Sequence, residues 1–314
     1  MDGRAGGGKN LGAVVAVMLL DLYKSRFERG LGRLIEELGE KGVLRDACEY
    51  ALQGGKRLRP LIVLMTADSL GLGLDAMPAA FSVECFHSAS LIADDLPCMD
   101  DDPLRRGRPS LHRAFGEGAA ILASYTLMAA GYGGISKNGA RLKIHPDFQQ
   151  EADRRSILCL DAATRCAGLG GATQGQYLDL FPPNASWETL REIVYKKTAT
   201  LFEVAFVFGW VFGGGALSSL PLLKKCAAHL GAAFQIADDL EDILEDGSQD
   251  HPTNVAAVFG KEAAISFFEK EFTALQQHLL ALHLWTPPFK EVCAHLQAKL
   301  PLSGELSSSQ QARP

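Results

Sequence analysis

Apolar residues recur at every third or fourth position through most of this chain. Between Leu20 and Leu38, the residues Leu20, Tyr23, Phe27, Leu31, Leu34, Ile35 and Leu38 share one face with charges between them, which predicts an amphipathic helix that Gly39 and Gly42 end. The same period predicts helices over Leu58–Leu70, Asp75–Ile92, Gly118–Tyr132, Phe148–Ala167, Ser186–Phe212, Ser219–Glu245, Lys261–His283 and Pro288–Leu300. Asp75–Ile92 carries Met77, Phe81, Val83, Cys85, Phe86, Leu91 and Ile92 nearly all round, so it belongs at the centre of the fold. The longest apolar stretch, Thr198–Trp210, is interrupted by Glu203 and falls short of the ~20 residues of a membrane span, so it reads as a buried helix. Ser186, after Pro182 and Pro183, is the expected N-cap of its helix.

Loops are expected at Met99–Pro109, Gly131–Asn138, Leu180–Ala185 and Glu245–Asn254, and no alternating β-branched run supports a strand. No composition shift or fixed-period repeat divides the chain. The expectation is one all-α domain over residues 11–301, with a Gly-rich disordered lead over 1–10 and a Ser/Gln-rich disordered tail over 302–314. Arg4 and Lys9 precede an apolar run from Leu11 to Leu20, but Asp21 follows at once and no small-x-small cleavage pattern appears. The run therefore reads as the start of a helix rather than a signal peptide.

Against this apolar background, two acidic clusters stand out. Asp94, Asp95, Asp100, Asp101 and Asp102 place five carboxylates within nine residues, directly after the central helix. Pro97 must break that helix, which leaves Asp94 and Asp95 at a helix C-terminus, the unfavourable end of the dipole for anions. Mutual repulsion adds to the cost unless cations neutralise it. Mg²⁺ suits such a site, because it prefers oxygen ligands and is often held by one or two carboxylates plus substrate phosphates. Taken alone, the cluster is equally a solvated acidic turn. Arg105, Arg106 and Arg108 follow within a few residues and supply donors suited to a diphosphate. The second cluster, Asp238, Asp239, Glu241 and Asp242, lies on a more regular helix, where Asp238 and Asp242 share a face.

The net charge of −6 and pI near 5.8 argue against a general nucleic-acid or anionic-membrane surface. The seven cysteines are scattered, without a Cys-x-x-Cys pair, which fits a reducing, cytoplasmic setting rather than a zinc ribbon or disulfide framework.

Taken together, these motifs resemble the trans-isoprenyl diphosphate synthases, the short-chain farnesyl and geranylgeranyl diphosphate synthases, from about Leu20 to Leu300. Asp94-Asp95-Leu-Pro-Cys-Met-Asp100 looks like that family's first Asp-rich motif and Asp238-Asp239-Leu-Glu-Asp242 like its second. The resemblance implies a helical bundle around a central cavity, of isoprenoid-synthase type, working as a homodimer. It implies Mg²⁺, about three ions with substrate bound, held mainly by Asp94, Asp100 and Asp238, with Asp95, Asp239 and Asp242 close by. Gly54-Gly55-Lys56-Arg57-Leu58-Arg59-Pro60 looks like the isopentenyl diphosphate segment, so Lys56, Arg59, His87 and Arg106 are implied to bind that diphosphate. Arg105 and Lys197 are implied to bind the allylic diphosphate and Thr198 to face the developing cation. Gln235 is implied to lie near the allylic chain, and Gln176 and Asp179 in the active-site wall.

The implied reaction condenses isopentenyl diphosphate with an allylic diphosphate and needs no side-chain nucleophile. Ser90 and Ala89, four and five residues before the first Asp, form the implied cavity floor, with Phe86 one turn deeper. Both floor residues are small, so a C20 product is expected over C15. Departures from the family pattern are Ala93 where His is frequent, Ser124-Tyr125 in place of a Gly-Asp pair, and His251-Pro252-Thr253 where a lysine segment is usual. Two other readings remain: a class I terpene cyclase, which would need no Gly54–Pro60 segment, and a non-catalytic or weakly active subunit of a heteromeric synthase, which the missing lysine favours.

Overall fold

The computed structural model describes residues 8–246 and 253–300. Residues 1–7 of the expected lead, the expected tail and the stretch containing His251 and Pro252 lie outside the described residues. In chain order the helices are α1 (Gly8–Glu36), α2 (Val43–Leu52), α3 (Leu58–Ser69), α4 (Met77–Asp94), α5 (Leu111–Phe115), α6 (Glu117–Lys143) and α7 (Ala152–Ala167). They continue with α8 (Ala172–Leu180), α9 (Trp187–Ile193), a π segment (Val194–Ala199), α10 (Thr200–Phe212), α11 (Leu220–Asp246), α12 (Val255–Phe259), α13 (Lys261–Ala281) and α14 (Pro287–Ala298).

The all-α expectation holds. Every residue of α10 is buried, and it packs against α3, α4, α7 and α11 as the axis of the bundle. Phe202, Phe206, Phe208 and Phe212 are all fully buried there, each contributing about 1.5–3 kcal/mol of apolar burial. Buried Arg155 of α7 donates to Val211 O at 2.9 Å and Gly215 O at 3.0 Å, satisfying carbonyls at and just beyond the end of α10. Ser186 caps α9 as expected, its Oγ accepting from Thr189 N at 3.3 Å.

Several elements differ from expectation. The helix before Leu20 begins at Gly8, inside the expected lead. The loop expected over Gly131–Asn138 is helix, because α6 runs unbroken to Lys143. Its glycines serve packing rather than a turn: a Cβ on Gly131 would sit 2.4 Å from the Phe86 ring, and one on Gly134 would sit 2.2 Å from Ser82 Oγ. By length and composition α6 could cross a membrane. In the bundle, however, its Asn138 is buried and hydrogen-bonds Ala79 N and Asp75 O.

The single helix expected over Ser186–Phe212 contains a π segment at its middle. The helices α2, α5, α8 and α12 were not expected. A two-residue hairpin, β1 (Leu104–Arg105) with β2 (Arg108–Pro109), occupies the loop after the first acidic cluster, where no strand was expected. Arg106 and Gly107 both have positive φ, 56° and 72°, which is the two-residue turn that matches strand twist.

Candidate active site

Four elements bring the first acidic cluster to a cavity mouth. Asp94 ends α4 and Asp95 is its C-cap; Asp100 N then donates back to Asp94 O at 3.0 Å, folding the acidic turn over the helix end. Lys197 projects from the π segment and pairs with Asp179 of α8. This approach depends on Gly175, where a Cβ would lie 2.2 Å from Lys197 N. π segments insert an extra residue into a helical turn and are frequent at functional sites. The Asp94 carboxyl is pushed up to about 7, chiefly by burial and against the pull of Lys197, with Asp100 adding repulsion. Burial likewise raises Asp100, which feels both Lys197 and Asp179.

Beneath these charges lies a cavity of about 410 Å³, walled by Phe86, Ala89, Ser90, Ser124, Tyr125 and Met128, with Asp94, Gln176 and Lys197 at one end. That size suits a small-molecule ligand. Phe86 on its wall is packed against Gly131 and edge-on to Tyr132 at 5.1 Å. Ser124 Oγ donates to Ala89 O at 3.0 Å, and Ala93 also lines the space, so two of the three family departures shape this wall. Gln176 is buried there beside Asp100, whose carboxyl it pulls down against the effect of burial.

Lys197 also lines a second cavity of about 200 Å³ with Asp179, Thr198, Gln235, Asp239 and Asp242, so the two acidic segments meet across one lysine. Thr198 Oγ1 donates to Gln235 Oε1 at 2.7 Å, and Gln235 Nε2 donates to Asp239 at 2.9 Å. Asp239 is buried and raised to about 6, mainly by desolvation. Its carboxylate accepts from Val255 N at 2.8 Å, and its carbonyl accepts from Asn254 Nδ2 at 3.1 Å. Asp239 thus anchors the start of α12, where the family's lysine segment was sought.

The basic residues form a separate centre. Arg57, with φ 61°, is buried and donates to Glu84 Oε1 and Leu52 O at 2.5 Å each and to Glu28 at 2.7 Å. Arg106 reaches Gly54 O at 3.0 Å, Gln53 O at 3.2 Å and Glu84 at 3.3 Å. Arg59 lies over the Phe202 ring at 4.5 Å, and burial lowers it to about 10. Burial and the surrounding arginines depress His87 strongly. Arg59 Nε and His87 Nδ1 are buried without partners. Arg59 Nε is thus a buried donor without a protein acceptor, close to further guanidinium groups, an arrangement that suits an anion.

Arg105 is held by Asp95, with Nε donating at 2.8 Å, and by Asp102 at 2.8 Å. The Asp95 carboxylate, expected on a metal, is therefore buried in an ion pair with Arg105. Asp238 pairs with Lys299 and also acts on Arg59. Lys56 lies near Glu241, on a cavity wall shared with Lys299.

A polyprenyl synthetase family model matches residues 41–263, most of the chain. The chain is a member of the polyprenyl synthetase family. Within that family, it is 36% identical over 231 residues to the farnesyl diphosphate synthase of Bacillus subtilis, covering 72% of this chain and 75% of that one. It is 34% identical over 233 residues to the heterodimeric geranylgeranyl pyrophosphate synthase large subunit 2 of Arabidopsis thaliana, covering 71% of this chain and 59% of that protein. The match thus spans less than two thirds of the plant relative's length. A crystal structure of a geranyltransferase from Legionella pneumophila superposes with TM-score 0.79 at 27% identity, covering 92% of this chain and 99% of that one.

Among the described residues, no three His, Cys, Asp or Glu side chains converge as a ready-made metal cage. The donor set still suits Mg²⁺: all-oxygen Asp94, Asp100 and Asp242 flank Lys197, and a raised, partly buried carboxyl such as Asp94 is an anion that a divalent cation would relieve. Sequence reasoning missed Arg57, Glu84 and Lys299. A lone glutamate in an otherwise apolar helix was the available signal for Glu84, since such a group is buried only with a partner. Lys299 carried no signal.

Proposed function

We propose that this polyprenyl synthetase family member condenses isopentenyl diphosphate head to tail with an allylic diphosphate to give a short-chain prenyl diphosphate. One observation carries the reading: an apolar cavity carries Asp94 and Lys197 on its wall, and α4, which lines that cavity, also bears His87 of the arginine centre. Arg59, His87 and Arg106 hold the isopentenyl diphosphate, with Lys56 as the outer cation. Lys197 and Arg105 hold the allylic diphosphate beside Asp94, Asp100, Asp238 and Asp242, the carboxylates that would take Mg²⁺. Bound Mg²⁺ supplies Lewis-acid neutralisation of the leaving diphosphate. Gln235 accepts the Thr198 proton, which leaves the Thr198 oxygen to face developing positive charge. The apolar cavity excludes water from the reacting carbons.

Ala89 and Ser90 on the wall, with Phe86 as the deeper stop, favour C20 over C15. Incubating the purified chain with Mg²⁺, isopentenyl diphosphate and each allylic primer (C5, C10, C15) tests this. Prenyl diphosphate product is expected, and Ala89→Phe should shorten it; an unchanged product ladder refutes the floor.

A cyclic product would favour the cyclase reading, against which the arginine centre stands. The Arabidopsis large-subunit relative favours a heteromeric alternative, in which the chain alone turns over weakly and a partner restores the rate. A homodimer is our preferred assembly. Exposed Ile121, Leu122 and Tyr125 on α6, Ile157 and Leu160 on α7, and Tyr177 and Phe181 on α8 supply its apolar face. The seven free cysteines, six of them buried, support a cytoplasmic setting.

A further inference from the structure

Lys299 stands at the C-cap of α14, far in sequence from any motif, yet its ammonium sits on the second acidic cluster. It pairs with Asp238, donates to Glu241 Oε2 at 2.7 Å and lies 5.6 Å from the centre of the Phe234 ring. Phe234, Asp238 and Glu241 are four and three residues apart on α11, so one helix face offers a seat with an aromatic floor and two carboxylates. The Lys299 side chain is 17% exposed. Lys299 lines a cavity of about 420 Å³ whose charged wall also holds Lys56, Lys24, His295, Asp21 and Glu291.

We propose that Lys299 is a built-in counter-cation that occupies Asp238 in the empty enzyme and yields it only to a metal arriving with a diphosphate. The proposal rests on the reading that Asp238 takes metal. A bare divalent cation at Asp238 must compete with an ammonium already paired there and hydrogen-bonded to Glu241. It leaves that half-buried ammonium beside a like charge, held by Glu241 alone unless it turns to Asp21 or Glu291 of the same cavity. A metal–diphosphate brings surplus anionic oxygens, so the displaced ammonium gains an acceptor on the wall it shares with Lys56. Lys299 therefore acts as a positioning residue that couples metal entry to diphosphate entry.

The test is calorimetric titration of Mg²⁺ into the full, substrate-free chain, repeated with inorganic pyrophosphate present. Lys299→Met keeps the aliphatic stem over Phe234 and removes the charge. It should bind bare Mg²⁺ about tenfold more tightly than the unmodified chain, the scale of one partly exposed charge pair. The advantage that pyrophosphate gives to Mg²⁺ binding should shrink correspondingly. Glu241→Gln, which loosens the seat but leaves Asp238 in place, should shift bare-metal affinity the same way, and Lys299→Arg should behave as the unmodified chain. Equal or weaker bare-metal binding in both Lys299→Met and Glu241→Gln overturns the proposal and leaves the catalytic reading standing. Absence of Mg²⁺ binding in the unmodified chain even with pyrophosphate overturns both.

Discussion

At the scale of single residues, the molecule is governed by charges buried in pairs. Glu84 is enclosed in α4 and shared by Arg57 and Arg106, so removing it leaves the buried guanidinium of Arg57 without its main partner. Glu84→Ala should destabilise the fold by about 3–5 kcal/mol in urea unfolding and weaken isopentenyl diphosphate binding, because Arg57 and Arg106 lose their shared anchor. Asp94 makes a prediction of opposite character. Its folded pKa of about 7 lies above the ordinary carboxyl value of ~3.9, so the metal-free folded chain retains a proton that the unfolded chain has lost. That contribution to stability is complete below the ordinary value and disappears as pH rises through about 7. Melting of metal-free protein across that range should therefore show a steeper loss of stability for the unmodified chain than for Asp94→Asn.

At the scale of elements, the π segment decides where the reacting charges stand. It places Lys197 against Gly175 on α8 while Thr198 reaches Gln235 on α11. Gly175→Ala should push this segment away, costing about 1–3 kcal/mol by overpacking and lowering kcat more than KM for isopentenyl diphosphate, whose site lies elsewhere. Steady-state kinetics with a melting curve checks both parts. The contrast with the sequence is instructive here. Period and caps located α3, α4, α11, α13 and α14 closely, because their apolar faces are set by local spacing. The glycines of α6 suggested a loop because spacing cannot reveal a neighbouring helix: only contact with Phe86 and Ser82 explains them. Motif resemblance singled out Lys56, Arg59, Asp94 and Asp238 as ligand-binding groups. It was silent on Arg57 and Lys299, whose roles come from residues 27 and 61 positions away in the chain. Asp95, expected on a metal, and Asp239, expected close by, are also engaged by Arg105 and by the start of α12, partners that the motif alone does not show.

At the scale of the whole molecule, exposed apolar side chains on α6, α7 and α8 are the face offered to the proposed homodimer. Tyr125→Glu places a charge in its middle, and sedimentation should then show a shift toward monomer relative to the unmodified chain. Tyr125, Tyr177 and Phe181 belong to this surface and also to the wall of the hydrocarbon cavity. On the proposed reading, an isoprenoid tail laid along that wall would be separated from a neighbouring subunit by the thickness of one side chain. Whatever settled on the outside could then press on the tail directly, with no backbone needing to move, and assembly and product size would become two readings of the same partition.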